Sequence, residues 1–97
     1  MKIEREGVEA TLSFLQGFYP WSVENLEPFI KELGGNNELT AYIVYLHDHG
    51  LLEGIIHYKY DLPSTPWDIK MESIRINAFG IDHLSKLKET LPFSLWW

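Results

Sequence analysis

Apolar positions along the chain change their spacing twice. From Ile3 to Phe18, residues Val8, Leu12, Leu15 and then Tyr19 recur every three or four positions, with Thr11, Phe14 and Phe18 widening the stripe. This spacing predicts an amphipathic helix whose polar side carries Glu4, Glu6 and Glu9. Gly17 lies near its end and Pro20 stops it. Ser22 is a candidate cap for a second helix, but Pro28 would then break the helix interior. A turn at Ser22–Asn25 and a short helix over Leu26–Leu33 instead place Pro28 in the first turn, where its missing N–H costs nothing. Phe29, Ile30 and Leu33 face inward, and Gly34-Gly35 ends the element. Asn36 or Asn37 is then expected to cap a third helix. In it Leu39, Tyr42, Ile43 and Leu46 share one face, and Gly50 supplies a left-handed stop after His49.

After Gly50 the period falls to two. Leu52, Gly54, Ile56, Tyr58 and Tyr60 alternate with Glu53, Ile55, His57 and Lys59, the pattern of a strand. Asp61–Asp68, with Pro63, Ser64, Thr65 and Pro66, reads as a loop. Ile69, Met71, Ile74 and Ile76 predict a second strand, bulged near Glu72-Ser73 where the alternation slips by one. Asn77 caps a last helix with Ile81, Leu84, Leu87 and Leu91 along one face; Pro92 ends it, and an apolar tail, Phe93–Trp97, comes after. The expected fold is a single α+β domain over residues 1–97: three helices, a two-stranded β-hairpin and a C-terminal helix.

That order is the layout of a winged helix-turn-helix domain, and two segments carry the resemblance. Leu46-His47-Asp48-His49-Gly50-Leu51-Leu52-Glu53-Gly54 resembles the third-helix exit of winged-helix proteins, where Gly turns the chain and two aliphatic residues plug the core beneath the wing. Ile74-Arg75-Ile76-Asn77-Ala78-Phe79-Gly80-Ile81-Asp82-His83-Leu84 resembles the end of the second wing strand, its Asn cap and the Gly three residues on. The resemblance spans Leu39 to Leu87. It is most similar to small winged-helix proteins of bacteria, phages and mobile elements, in which a Tyr-His-Leu-type third helix precedes Gly-Leu-Ile; Tyr42, Tyr45 and Leu46 occupy similar ground. The resemblance implies a regulator whose third helix enters the DNA major groove while its wing touches phosphates.

Charge changes this picture. The 97 residues hold 14 acidic and 8 basic side chains, a net charge of −6. Lys and Arg are absent from Glu32 through Tyr58. The side of the third helix opposite its apolar stripe offers Asn37, Glu38, Ala41, Tyr45 and Asp48, and its two carboxylates meet a phosphate field with the wrong sign. Base readout favours Arg, Lys, Asn or Gln, and only Asn37 qualifies. The hairpin adds Lys59, Trp67 and Lys70 to this candidate partner or DNA face, with Asp61 and Asp68 beside them. Trp67 either packs back on the sheet or anchors a partner. The leading expectation is an acidic winged-helix module acting through protein–protein contact; a DNA-binding regulator is the second.

Aromatic residues make up 14% of the chain. The broad stripe of the first helix (Phe14, Phe18), the last helix (Leu84, Leu87, Leu91) and the tail (Phe93, Leu95, Trp96, Trp97) together suggest a homodimer interface. The alternative is a tail folded between the terminal helices of its own chain.

No catalytic chemistry is expected. His47 and His49 are two apart, where a helical metal pair needs i, i+4; His57 and His83 stand alone. None of the serines sits in a nucleophile elbow, and Gly34-Gly35 lacks the Lys of a phosphate loop. Cysteine is absent, which excludes disulfides and thiolate metal sites, and no cofactor is implied. The absence of an 18-residue apolar run argues against a membrane span, and the polar start, Met1–Glu6, points to a cytoplasmic protein.

Overall fold

Four helices and two short antiparallel ladders build the computed structural model, which describes residues 2–61 and 66–94, with side chains as far as Lys88. The first helix, α1, spans Arg5–Gln16. Ile3 and Glu4 stay outside it, since Glu4 is extended, and the helix ends at Gln16, short of Phe18. Val8, Thr11, Leu12 and Leu15 face inward. The Thr11 hydroxyl donates to the Gly7 carbonyl at 2.7 Å, which satisfies a polar group in an apolar setting. Tyr19, expected on the same stripe, lies past the helix end before a cis peptide to Pro20, and it is exposed.

The second helix, α2, covers Glu27–Leu33, with Pro28 in its first turn as the sequence predicts. Ser22 does not cap it; the Asn25 side chain accepts the Glu27 N–H at 3.0 Å instead. Gly34, at φ 108°, closes α2 in the left-handed region where side chains are strained. The third helix, α3, runs Asn36–Asp48. Neither Asn36 nor Asn37 caps it: Gly35 holds that position without a side-chain bond, and both asparagines fall inside the first turn. Leu39, Tyr42, Ile43 and Leu46 face the core as expected.

The hairpin arrives in two pieces. Strand β1 (Leu52–Glu53) pairs antiparallel with β4 (Arg75–Ile76), and β2 (Ile56–Tyr58) pairs with β3 (Trp67–Ile69). A 3-10 turn over Met71–Ser73 interrupts the return strand where the slipped alternation places a bulge. Opposite it, Gly54 leaves room for Ile74, whose side chain occupies the space a Cβ would need. The Ser73 hydroxyl accepts the Ile55 N–H at 2.9 Å and so bridges the gap between the ladders. Trp67 and Asp68, expected in the loop, belong to β3 because their backbone continues the pairing. Val23, expected in a simple turn, donates its N–H to Ile74 at 3.0 Å and joins the α1–α2 connection to the sheet.

Helix α4 spans Ala78–Ser94 and continues through Pro92, where the sequence predicts its end. Pro92 has no N–H to give the Lys88 carbonyl, so one helical bond is forgone two residues before the end of α4. Asn77 caps α4 as predicted, accepting the Gly80 N–H at 2.9 Å. The core gathers α1, α3 and both ends of the hairpin around Leu12, Leu39, Ile43, Leu46, Leu52, Ile74, Ile76 and Leu84. Among the described residues, no helix is long and apolar enough to cross a membrane.

Candidate functional site

Strand alternation divides the hairpin into two faces of different chemistry. The register Ile56↔Ile69, His57↔Asp68, Tyr58↔Trp67 puts Ile56, Ile69, Tyr58 and Trp67 on one face, and His57 and Asp68 on the other. On the first face, Ile56 and Ile69 are half-buried against the core. Farther out, the Trp67 and Tyr58 rings meet edge-on at 4.9 Å, and Tyr60 stands beyond them with its ring 6.5 Å from Tyr58. Exposure rises along this row: 37% for Trp67, 54% for Tyr58 and 84% for Tyr60. Trp67 therefore packs against Tyr58 on the sheet, the first of the two readings of it, while 37% of its surface stays exposed.

The reverse face is charged. Lys59 Nζ lies 3.4 Å from the Asp68 carboxylate in a half-exposed ion pair. Backbone bonds from Lys59 N–H to the Pro66 carbonyl (2.6 Å) and from Lys70 N–H to the Ile55 carbonyl (3.0 Å) extend the ladder at both ends. The structure thus separates residues that the sequence grouped: Lys59 and Trp67 lie on opposite faces. Residues 62–65, including Pro63, Ser64 and Thr65, lie outside the described residues.

On α3, Asn37 and Asp48 are exposed and Ala41 is half-buried, all away from the core stripe. Glu38 folds over the Gly34-Gly35 turn, its carboxylate close to Gly35. Tyr45 turns toward α1 and α4: it packs on His49 with ring centroids 4.5 Å apart and lines a small cleft with Ile3, Val8, His83 and Leu87. The outer surface of α3 thus carries Asn37, Ala41 and Asp48, with Tyr45 also exposed beside them and Asp48 as its exposed charge.

The surplus apolar surface foreseen on the terminal helices is largely spent inside the chain. Leu84 is 1% exposed and part of the core, which corrects its placement at a subunit interface. Phe14 stacks on Phe29 at 4.6 Å with nearly parallel rings. Leu87 is half-buried, and its carbonyl accepts a bond from the Arg5 guanidinium at 2.7 Å. Phe18 remains partly exposed. The side chains of Leu91 and Phe93, and residues Leu95, Trp96 and Trp97, lie outside what is described.

A second aromatic group, which sequence reasoning missed, stands on the α1–α2 connection. Phe18, Tyr19 and Trp21 are all exposed, Trp21 by 75%. The signal is the unbroken run Phe18-Tyr19-Pro20-Trp21, but the helical stripe absorbs its first two members. Among the described residues, no three His, Asp or Glu side chains converge in a way that could hold a metal. An open cleft of about 480 Å³ between the α3 exit and α4 brings His49, His83 and Asp82 beside Phe79 and Lys86. No protein-family model matches the chain, and no curated protein or solved structure matches it either.

Proposed function

We propose that this chain is a cytoplasmic winged-helix protein that works by binding another protein, with the aromatic face of its hairpin as the contact surface. The element order, three helices, a hairpin and a closing helix, supports the winged-helix reading. The observation that carries the function is the exposed row Trp67–Tyr58–Tyr60, its first two members paired on the β2–β3 ladder and Tyr60 in the turn beyond, in a chain of net charge −6. Tyr and Trp supply large contact area at low entropic cost and dominate interface energetics. Phosphate binding has little to work with: α3 carries no Lys or Arg, and Lys59 is engaged by Asp68.

Affinity capture from cells of the source organism tests this, using the wild type beside the triple variant Tyr58→Ser, Tyr60→Ser, Trp67→Ser. One protein species held by the wild type and lost by the variant is the expected result. Equal capture by both, or tight binding of random duplex DNA near physiological salt, overturns it.

A further inference from the structure

The connection between α1 and α2 separates two grooves that share a wall. On one side, an open groove of about 530 Å³ is lined by Phe18 and Trp21 and reaches Glu24 and Asn25. On the other, Glu24 and Asn25 line a groove of about 260 Å³ whose floor is Leu26, Leu39 and Met71 and whose rim holds Glu27 and Glu72. Leu26 and Leu39 are buried, so this floor is fixed. Val23, bonded to Ile74, and Asn25, bonded to Glu27, fix the backbone of the shared wall. Three carboxylates, Glu24, Glu27 and Glu72, border the apolar floor, and among the described residues no cation lines either groove.

We infer that this face receives an extended, cationic segment of a partner protein. An apolar residue of that segment, proline included, packs on Phe18 and Trp21. A neighbouring Arg or Lys lays its aliphatic stem on the half-buried Ile30 and Met71, above the buried Leu26 and Leu39, and presents its charge to the glutamates. The division rests on the side chains themselves: long cationic residues bury their stems on apolar surface while the charged head stays with water or counter-charge. Aromatic-lined grooves favour extended, proline-bearing segments because such segments lose little freedom on docking. The shared wall places the two grooves side by side. An extended chain advances about 3.3 Å per residue, so anchors a few residues apart reach both grooves. Charge complementarity excludes nucleic acid from this face and selects a basic peptide. The inference rests on the protein-binding reading above, but it concerns a surface distinct from the hairpin row.

Nitrogen-15 NMR of the full chain tests it with a short peptide of alternating Arg, Pro and Leu and a counterpart carrying Glu in place of Arg. The Trp21 indole N–H and the amides of Glu24, Glu27 and Glu72 should shift and saturate with the Arg peptide and stay still with the Glu peptide. Trp21→Ala, and separately the triple change Glu24→Gln, Glu27→Gln, Glu72→Gln, should each weaken binding at least about tenfold. Trp67→Ser should leave it unchanged. No shift up to ~1 mM peptide, which is the weak end of specific recognition, overturns the inference, and so does an equal response to the Glu peptide. Concentration-dependent shifts of these signals in the chain alone also overturn it, since a second copy would then be the occupant. Shifts confined to Tyr58, Tyr60 and Trp67 sink this inference while leaving the hairpin reading standing.

Discussion

Tyr42 of α3 closes over Gly7 of α1. Its hydroxyl accepts the Glu4 N–H at 3.1 Å, and a Cβ at position 7 would fall 2.2 Å from that same hydroxyl oxygen. The glycine is a cost to α1 of about 1 kcal/mol relative to alanine, and it is retained where the tyrosine ring needs the space. Gly7→Ala is therefore expected to lower stability by about 1–3 kcal/mol despite the better helix former, because the rigid ring must move. In a Tyr42→Ala background the same change should become neutral or stabilising. Urea midpoints of the four proteins in this cycle decide it; an additive result would show that the contact does not matter.

Asn77 ties three elements together. Its amide donates to the Gly50 carbonyl at 2.9 Å and to the Glu53 carboxylate at 2.7 Å, while its oxygen caps α4 through the Gly80 N–H. Asn77→Ala should cost about 1–3 kcal/mol, combining the loss of a cap with the loss of the amide's bonds to the Gly50 carbonyl and the Glu53 carboxylate. Asn77→Ser keeps an acceptor for the cap and should cost less. Gly80→Ala should destabilise as well, since its Cβ would meet the Leu51 carbonyl oxygen at 2.2 Å and backbone has no rotamer to change. Thermal unfolding of the three variants would rank them; a stable Gly80→Ala would show that α4 shifts freely against the α3 exit.

The same two sites mark how far local sequence reaches. Asn77 is legible because a cap and a glycine three residues later are a local signal, and Gly50 is legible because it ends a stripe. The periods of α1 and α3 are readable because each helix buries one continuous face. The Tyr42–Gly7 contact is not, since it joins residues 35 positions apart and no local pattern encodes it. Val23 escapes for a similar reason: its bond to Ile74 is a single long-range link with no alternation around it. The candidate site is misread where face and sequence neighbourhood diverge. Lys59 and Trp67 look like one cluster, but β pairing sends them to opposite sides. Leu84 looks surplus until the core that the hairpin and α1 complete encloses it.

Leu46 tests the centre of the core. It is fully buried on α3, and its carbonyl accepts the Leu51 N–H at 2.9 Å, where the chain turns into the hairpin. Leu46→Ala should cost about 2–5 kcal/mol, the range for truncating a buried leucine. Leu87→Ala, at a half-buried position on α4, should cost distinctly less. Denaturant midpoints that fail to separate the two would mean that the core is not centred on α3.

Duplex DNA should bind weakly. Affinity for DNA rises with the number of phosphates neutralised, and log K falls against log salt with a slope near −0.9 per contact. Here the outer strip of α3 offers Asn37, Ala41 and Asp48 without a cation, and Lys59 is shared with Asp68 at 3.4 Å. The hairpin pair is half-exposed, so it contributes at most about 1 kcal/mol to stability, and breaking it should not disturb the ladder. This makes a gain-of-function test possible. Replacing Asp48→Lys and Asp68→Lys removes two repelling charges, adds two attracting ones and frees Lys59, all on exposed or half-exposed side chains. The variant should fold like the wild type and bind random duplex more tightly, with a salt slope steeper by about two to three contacts' worth. Fluorescence anisotropy across a salt series measures both quantities. A wild-type affinity already below about 1 µM at ~150 mM salt, tighter than ordinary non-specific binding, would refute the acidic-surface argument and return the hairpin and α3 to DNA.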